Sequence, residues 1–249
     1  MRVLFLEAPY NYKAELSHEA LTYIISKGYK TMGVYAAVQF LGSLEKVKKQ
    51  LNDVEIKMVT SSPERSQYKG QLLGCDVFTG NLKLHDDVDS YLYIGDGKFH
   101  PLALLHGQRD LVKEDIKEII CYDPLHGKIN VLKIEEVMGT FKRYRATLIK
   151  FLSAKKIGVI ITLKPGQEFM KMALRLEKKF TDKKFYFFVD DTVSLNQLEN
   201  FNFIDMWVNT ACPRIAIDDA EWFSRGVINL NDAYSVKEIL EKKSVLNEV

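Results

Sequence analysis

The chain has 249 residues, a length that allows one large domain or two small ones, each with a hydrophobic core. Hydrophobic residues make up 47% of it and charged residues 27%, a composition typical of a globular protein in water. The formal net charge of +2 gives no electrostatic case for binding nucleic acid, and no apolar run approaches the roughly 20 residues that cross a membrane.

The N-terminal segment and the cysteines indicate the cellular compartment. Met1 to Pro9 contains an apolar run that is too short for a signal peptide, and it has no cleavage site. The three cysteines are irregularly spaced, which argues against a disulfide framework. We therefore predict a protein of the reducing cytoplasm that does not enter a membrane.

The first half of the chain alternates short β-rich runs with a segment of helical periodicity. Apolar residues recur at helical spacing from Val34 to Asn52, which predicts a helix there. The turn at Asp123 and Pro124, closed by Gly127, predicts that the last two strands of this half form a pair. The predicted strands are Val3 to Leu6, Val54 to Val59, Ser90 to Ile94, Ile116 to Cys121 and Lys128 to Leu132.

A long helix predicted from Ile134 to Lys155 connects this half to a second series of strands and helices. The strands are Gly158 to Thr162, Phe185 to Val189, Ile204 to Val208 and Val227 to Ile228. Helices are predicted from Pro165 to Phe180, from Val193 to Phe201 and in the charged C-terminal segment. We predict an α/β fold of two small parallel-sheet domains, residues 1–135 and 136–249, related by a weak internal repeat.

Two cysteines have a sequence context that suggests ligand binding. Cys212 directly follows an apolar strand, at the edge of the sheet where open α/β folds bind ligands. Pro213 stops that strand, and the positive charge of Arg214 is expected to favour a thiolate. Cys75 lies among glycines, which let the backbone approach a bulky ligand. The alternative for either thiol is a small buried hydrophobic residue, the reading that we adopt for Cys121.

Two loops are further candidates for small-molecule binding. Gly95, Asp96, Gly97 and His100 belong to a loop after a strand, and its backbone N–H groups suit an anionic or polar molecule. An ordinary tight loop with an exposed histidine explains the same pattern. The strand-to-helix turn from Lys164 to Gln167 is able to hold a carboxylate, although a plain helix N-terminus explains it equally well.

Taken together, four segments in this order resemble the archaeal diphthamide synthase family, the 2-(3-amino-3-carboxypropyl)histidine synthases. The resemblance extends from Val3 to about Tyr234, and the segment around Cys212 is its most specific part. The four segments are Gly70-Gln-Leu-Leu-Gly-Cys-Asp76, Tyr93-Ile-Gly-Asp-Gly-Lys-Phe-His-Pro-Leu102, Lys164-Pro-Gly-Gln167 and Thr210-Ala-Cys-Pro-Arg-Ile-Ala-Ile-Asp-Asp219.

The resemblance implies a non-classical radical enzyme that uses S-adenosylmethionine. In that family, three α/β domains each supply one cysteine to a [4Fe–4S] cluster, and three thiolates leave one iron open. S-adenosylmethionine binds there and yields a 3-amino-3-carboxypropyl radical, which adds to a histidine of translation elongation factor 2 in the first step of diphthamide formation. By motif, Cys75 and Cys212 match the ligands of the second and third domains, and Cys121 matches none. The resemblance also implies cofactor or substrate contacts for Gln71, Gly95, Asp96, Gly97, His100, Lys164 and Gln167.

The chain departs from the family in one large respect, because it resembles only the second and third of the three domains. The cysteine of the first domain has no counterpart here, so either a separate subunit carries that domain or the cluster is incomplete. The family resemblance also implies a homodimer. A non-catalytic module that binds elongation factor or an active partner is the alternative. A more distant alternative is another iron–sulfur enzyme such as quinolinate synthase, against which the intact segment around Cys212 argues.

Overall fold

The structure is a computed structural model that describes Tyr10 and residues 14–85, 87–164 and 167–248. It divides into two compact units, Met1–Val137 and Met138–Val249. The strand predicted from Val3 to Leu6 lies outside the described residues. No helix in the described ranges is both long enough and apolar enough to span a bilayer.

The first unit contains a five-stranded sheet. Its strands are β1 (Thr31–Ala36), β2 (Lys57–Val59), β3 (Ser90–Ile94), β4 (Ile119–Asp123) and β5 (Lys128–Leu132), and its helices are α1 (His18–Ser26), α2 (Leu44–Asp53), α3 (Thr79–Leu82) and α4 (Leu102–His106). The strand order is β2-β1-β3-β4-β5, with β1 to β4 parallel and β5 antiparallel to β4. Asp123 accepts the Leu125 N–H at 2.9 Å in the predicted turn, and Gly127 closes it with a φ of 64°.

The second unit contains a four-stranded, fully parallel sheet. Its strands are β6 (Lys156–Thr162), β7 (Lys184–Asp190), β8 (Met206–Asn209) and β9 (Val227–Asn229). Most of α5 (Glu135–Ser153) belongs to this unit, with α6 (Met170–Lys179), α7 (Leu195–Leu198), α8 (Arg214–Ile217), α9 (Leu230–Tyr234) and α10 (Val236–Glu241). The strand order is β7-β6-β8-β9, which repeats the order β2-β1-β3-β4 of the first unit.

The repeat extends to individual residues in the two central strands of each sheet. Gly33 of β1 lies opposite Tyr91 of β3, and a Cβ on this glycine would be 2.5 Å from the tyrosine ring. Gly158 of β6 lies opposite Trp207 of β8 in the same way, with 2.3 Å from the added Cβ to the indole ring. In both units a glycine therefore makes room for a large aromatic ring on the neighbouring strand.

A second repeated feature is an aspartate directly before one central strand of each sheet, β3 in the first unit and β8 in the second. Asp89 accepts the backbone N–H groups of Lys30 and Thr31 at 2.7 and 2.9 Å. Asp205 accepts those of Lys155 and Lys156, both at 2.8 Å. Each carboxylate thus joins the starts of two neighbouring strands. The predicted pair of parallel-sheet α/β units with an internal repeat is confirmed, and the register identifies residues that correspond between the two units.

Several predicted boundaries were wrong. The helix predicted from Val34 to Asn52 begins only at Leu44, because Val34 lies in the buried strand β1 and a 3₁₀ helix, Val38–Ser43, follows it. The helix predicted from Pro165 begins at Met170, while Pro165 itself lies outside the described residues. The short helix of the second unit is shorter than predicted, and the C-terminal segment forms the two helices α9 and α10.

Candidate functional site

The segment that leads to Cys75 runs beside the carboxyl end of β1. Ala36 donates its N–H to the Gly70 carbonyl at 2.8 Å and accepts the Leu72 N–H at 3.0 Å. Gln71 and Ala36 form an isolated parallel bridge. The backbone before Cys75 therefore extends the sheet locally and brings the thiol to its carboxyl edge, where open α/β folds bind ligands.

The side chain of Gln71 is buried and takes part in a local turn. Its Oε1 accepts the N–H groups of Gln67 and Tyr68 at 2.9 and 3.2 Å, and its carbonyl accepts the Ser66 hydroxyl at 2.8 Å. The amide oxygen is thus used to fold residues 66–71. The cofactor contact expected for Gln71 stays a prediction.

Cys75 is half-buried and lies between a close ring contact and a buried carboxyl group. A Cβ on Gly74 would be 2.2 Å from the Phe99 ring, so this ring rests directly on the glycine before the thiol. Asp76 is fully buried. Its burial raises the pKa of the carboxyl group to about 6, against the opposing effects of Arg65 and the Ser66 hydroxyl.

The loop after β3 lies against the Cys75 segment through this Phe99 contact. His100 stacks on Tyr93 with 6.3 Å between ring centroids and 11° between ring planes. Asp96 and Gly97 are exposed, and Gly97 has a left-handed φ of 67°. The structure therefore brings Cys75, Phe99 and His100 into one edge of the first unit, whereas the contacts of Gly95, Asp96, Gly97 and His100 with a ligand stay predictions.

Tyr93 lies directly beneath this loop. A Cβ on Gly95 would be 2.6 Å from its hydroxyl oxygen, so only glycine allows the loop to pass so closely. Within the part of the chain that the structure describes, the buried hydroxyl has no hydrogen-bond partner. Burial raises the pKa of this phenol above its ordinary value. Sequence reasoning did not single out Tyr93.

In the second unit, Cys212 is the third residue after β8 and is half-buried. Thr210 donates both its N–H and its hydroxyl to the Ile160 carbonyl, at 3.1 and 2.9 Å. Ala211 donates its N–H to Oδ1 of Asn209 at 3.0 Å. These bonds turn the chain sharply at the carboxyl edge of the sheet and place the thiol there.

Two buried asparagines hold the rest of the Cys212 turn. Asn209 Nδ2 donates to the Cys212 carbonyl at 2.8 Å and to Asn229 Oδ1 at 2.9 Å. Asn229 Nδ2 donates to the Pro213 carbonyl at 3.1 Å. The Asn229 N–H donates to the Tyr144 hydroxyl at 2.9 Å, and this hydroxyl donates to Asp232 at 2.5 Å. Sequence reasoning missed all four residues, since nothing in their local context indicates that they meet.

Arg214 has a different role from the one expected. Its side chain is buried and forms an ion pair with Asp218, one helical turn further along. A carboxylate in the next turn thus compensates the positive charge of Arg214. The effect of Arg214 on the Cys212 thiol stays a prediction.

The turn with Lys164 and Gln167 follows β6, the strand beside β8, and so lies at the same edge of the second sheet as Cys212. Lys164 is exposed, and its N–H donates to the Thr162 hydroxyl at 3.2 Å. Gln167 donates its N–H to the Lys164 carbonyl at 3.0 Å. Both residues precede α6, which begins at Met170, so this turn is not the first turn of that helix. The anion site predicted here stays a prediction. A ligand contact by either side chain stays a prediction.

Cys121 is buried in β4, and its burial raises the pKa of the thiol to about 12. In the described ranges, no group of three His, Cys, Asp or Glu side chains is arranged to hold a metal ion. Cys75 and Cys212 are the two partly exposed thiols, one in each unit. Each fits the role of a single thiolate ligand at a sheet edge, whereas Cys121 fits a core position.

Comparison with known proteins gives this arrangement a context. The profile of the family described as "Putative diphthamide synthesis protein" matches residues 1–245. A 2-(3-amino-3-carboxypropyl)histidine synthase of Pyrococcus horikoshii is 28% identical over 83% of this chain, and the match covers 60% of that relative. Subunit 1 of a synthase of the same name from Schizosaccharomyces pombe is 27% identical over 86% of this chain, with 48% of that relative covered. The chain therefore spans only about half to three fifths of the length of these relatives.

Solved structures show the same fold. The crystal structure of Dph2 from Pyrococcus horikoshii matches with a TM-score of 0.69 at 25% identity, over 92% of this chain and 63% of that chain. A crystal structure of that protein with a 4Fe-4S cluster matches with a TM-score of 0.70 at 23% identity, over 91% and 63%. Because the family profile matches nearly the whole sequence, the chain belongs to the diphthamide synthesis protein family.

Proposed function

We propose that this chain takes part in the first step of diphthamide formation. In this step the 3-amino-3-carboxypropyl group of S-adenosylmethionine is transferred to a histidine of translation elongation factor 2 by a radical mechanism. The observation that carries the proposal is that each sheet presents one half-buried thiol at the carboxyl edge of its parallel strands, in a member of this family. The names of the synthases from Pyrococcus horikoshii and Schizosaccharomyces pombe support the same reaction.

In this proposal Cys75 and Cys212 each supply one thiolate to a [4Fe–4S] cluster. A cluster held by three thiolates supplies an open iron and an electron for cleaving S-adenosylmethionine. Cys121 is unsuited to be the third ligand, since it is buried in β4 and its pKa is raised. In this proposal the third thiolate comes from outside the 249 residues, for example from a separate subunit that carries the first domain.

The other residues of the two sheet edges bind and orient the substrates in this proposal. Backbone N–H groups of the loop that contains Gly95, Asp96 and Gly97 contact polar groups of S-adenosylmethionine, and the His100 ring, stacked on Tyr93, borders this site. The exposed ammonium group of Lys164 attracts the carboxylate of the transferred group, with Gln167 beside it. These residues position the cofactor, and the chemistry of the bond that breaks belongs to the cofactor.

The test is anaerobic reconstitution of the cluster, followed by electron paramagnetic resonance of the reduced protein. It is performed on the chain alone and with candidate partner subunits. Cys75→Ala and Cys212→Ala should each remove most of the signal, because each removes one thiolate. Cys121→Ala is the matched control and should keep the signal, since its thiol lies in the core. Absence of a cluster with every partner would refute the catalytic proposal.

Within the described residues two thiols are partly exposed, one fewer than the cluster in this proposal needs, and this favours a second candidate function. In this candidate the chain is a non-catalytic subunit that binds elongation factor 2 or an active partner. Cells that carry Cys75→Ala or Cys212→Ala would then still modify elongation factor 2. Mass spectrometry of that factor measures the added 3-amino-3-carboxypropyl group and separates the two functions.

A further inference from the structure

The peptide groups around Cys212 are held by side chains that come from outside the turn. Oδ1 of Asn209 accepts the Ala211 N–H, and Nδ2 of the same residue donates to the Cys212 carbonyl. Nδ2 of Asn229 donates to the Pro213 carbonyl. Two side chains thus bind three consecutive residues, with Cys212 in the middle. Since the backbone is fixed on both sides of the cysteine Cα, the direction of its Cα–Cβ bond is fixed as well.

Buried hydrogen bonds in turn hold the side chains of Asn209 and Asn229 in place. Asn209 and Asn229 hydrogen-bond to each other and are only 1% and 3% exposed, so water does not compete for these bonds. The Tyr144 hydroxyl accepts the Asn229 N–H and donates to the carboxylate of Asp232. Tyr144 lies on α5 and Asp232 on α9, so the brace connects β8 and β9 to two helices.

The first unit has no pair of side-chain amides at the corresponding positions of its sheet. In the second unit, Asn209 lies opposite Ile160 and Asn229 in the strand register. The corresponding residues of the first unit are Tyr93, opposite Tyr35, and Cys121, opposite Tyr93. The loop that follows there has Asp96 at the position of Cys212. The unit without a thiol at this position therefore has no amide pair beneath it.

We propose that Asn209 and Asn229, braced by Tyr144 and Asp232, are positioning residues that hold the Cys212 thiol in the direction required for ligand binding. The functional part rests on the proposed role of Cys212 as a cluster ligand. The claim that the two amides hold the turn concerns the metal-free chain and is tested on it. Loss of the amide pair should let the turn open locally while the sheet stays folded.

The experiment measures the rate at which iodoacetamide alkylates each thiol of the folded, metal-free chain, by mass spectrometry of its peptides. The readout is the rate at Cys212 divided by the rate at Cys75 in the same molecule. Asn229→Ala should raise this ratio about fivefold, because it removes the bonds to Pro213 and Asn209. Tyr144→Phe keeps both amides and removes only the hydroxyl brace, so it should raise the ratio about twofold.

Asn247→Ala is the matched control in the same unit. Asn247 also donates two amide–carbonyl bonds, to Ile239 at 2.6 Å and Lys242 at 2.8 Å, but it does not contact the Cys212 turn. In Asn247→Ala the ratio of the alkylation rates at Cys212 and Cys75 should equal that of the unchanged protein. An equal rise in this variant would overturn the proposal, because it would show general loosening of the unit.

An unchanged ratio in both Asn229→Ala and Tyr144→Phe would also overturn it. If Asn229→Ala does not fold, Tyr144→Phe alone decides, since a phenylalanine fills the same space. Cluster reconstitution of Tyr144→Phe with a partner that supports the unchanged chain is the second readout, and a weaker or shifted resonance signal supports the proposal. A chain that never binds a cluster contradicts the proposed function, whereas the alkylation ratio still tests the positioning role.

Discussion

The two thiol-bearing edges differ in how the backbone reaches them. Cys75 belongs to the long connection between β2 and α3, whose backbone pairs with Ala36 of β1. Cys212 lies in a tight turn directly after β8, held by the side chains of Asn209 and Asn229. The first construction uses backbone pairing and glycines, and the second uses buried amides. Equivalent sheets therefore present the same chemical group by different local means.

The strand register shows which features the two units share. Both sheets share the order of their four parallel strands, the glycine–aromatic pair and the aspartate that joins two strand starts. The position of the thiol is not shared, because Cys75 follows β2, the second strand of its unit along the chain, whereas Cys212 follows β8, the third strand of its unit. The two units therefore share features of the sheet, whereas each carboxyl edge holds its cysteine by different contacts. Substitutions in the sheet should thus affect the two units alike, and substitutions at the edges should affect one thiol only.

The largest expected effect comes from filling the space under the two aromatic rings. Gly33→Ala and Gly158→Ala should each lower the free energy of unfolding by about 1–3 kcal/mol, because the new Cβ meets a buried ring. Gly158→Ala should cost more, since Trp207 is fully buried and the Phe188 ring lies 4.8 Å from it. Urea denaturation measures both variants.

Gly139→Ala is the control for these two variants. A Cβ at this position in α5 meets nothing within 4 Å, and alanine favours a helix over glycine by about 1 kcal/mol. This variant should therefore be slightly more stable than the unchanged chain. Equal stability of Gly33→Ala, Gly158→Ala and Gly139→Ala would contradict the shared glycine–aromatic pair.

A smaller effect is expected at the two aspartates that join the strand starts. Asp89→Asn and Asp205→Asn should each lower the free energy of unfolding by about 1 kcal/mol at pH 7, a value reduced for their exposure to water. In the folded chain, hydrogen bonds from the backbone N–H groups of Thr31 and Lys156 hold the two carboxyl pKa values below their ordinary range. The stabilisation is therefore present above about pH 4, the unfolded value, and is lost as the pH falls through the lower folded pKa.

Urea denaturation at pH 7 and pH 3 checks this sign. The difference between each variant and the unchanged chain should be larger at pH 7 than at pH 3. Asp115→Asn, in the exposed 3₁₀ turn Lys113–Asp115, removes a surface carboxylate as the control. A difference that grows towards pH 3 for Asp89→Asn and Asp205→Asn would show that the two carboxylates do not stabilise the strand starts.

The strands that could be predicted were those that their own residues identify, without reference to the rest of the fold. Ser90–Ile94 is buried throughout and Lys156–Thr162 is buried after its first residue, and both consist mainly of apolar residues, as expected for parallel strands covered on both faces. β1 was missed because Val34, Val38 and Leu41 recur at helical spacing, although the first belongs to a strand and the other two to a 3₁₀ helix. Where a strand passes directly into a helical turn, the apolar spacing of the two merges into one pattern.

The residues of the candidate site likewise include some that have a local sequence signal and some that have none. Cys75 and Cys212 could be proposed as candidate ligands because glycines or a strand end mark their immediate surroundings. The brace of Asn209, Asn229 and Tyr144 was not, since it depends on the pairing of β8 with β9 and on the position of α5. The start of the helix after Lys164 was misassigned for a different reason, because Pro165 suits a first helical turn but α6 begins at Met170. Side chains that meet only through strand register leave no local signal.

The smallest expected effect tests the edge that holds Cys75. Gly74→Ala places a methyl group 2.2 Å from the present position of the Phe99 ring, which is 51% exposed and able to move aside. The free energy of unfolding should therefore change by only a few tenths of a kcal/mol, whereas Cys75 should be alkylated about two- to threefold faster. The alkylation rate of Cys212 should not change, because its turn is held by Asn209 and Asn229.

A double-mutant cycle separates this contact from a general effect of the methyl group. Phe99→Ala alone should also speed the alkylation of Cys75, because it removes the ring that rests on Gly74. Adding Gly74→Ala to that variant should then have no further effect, as the methyl group no longer meets a ring. If the two rate increases multiply instead, the substitutions act independently, and the contact between Gly74 and Phe99 is not what holds this thiol.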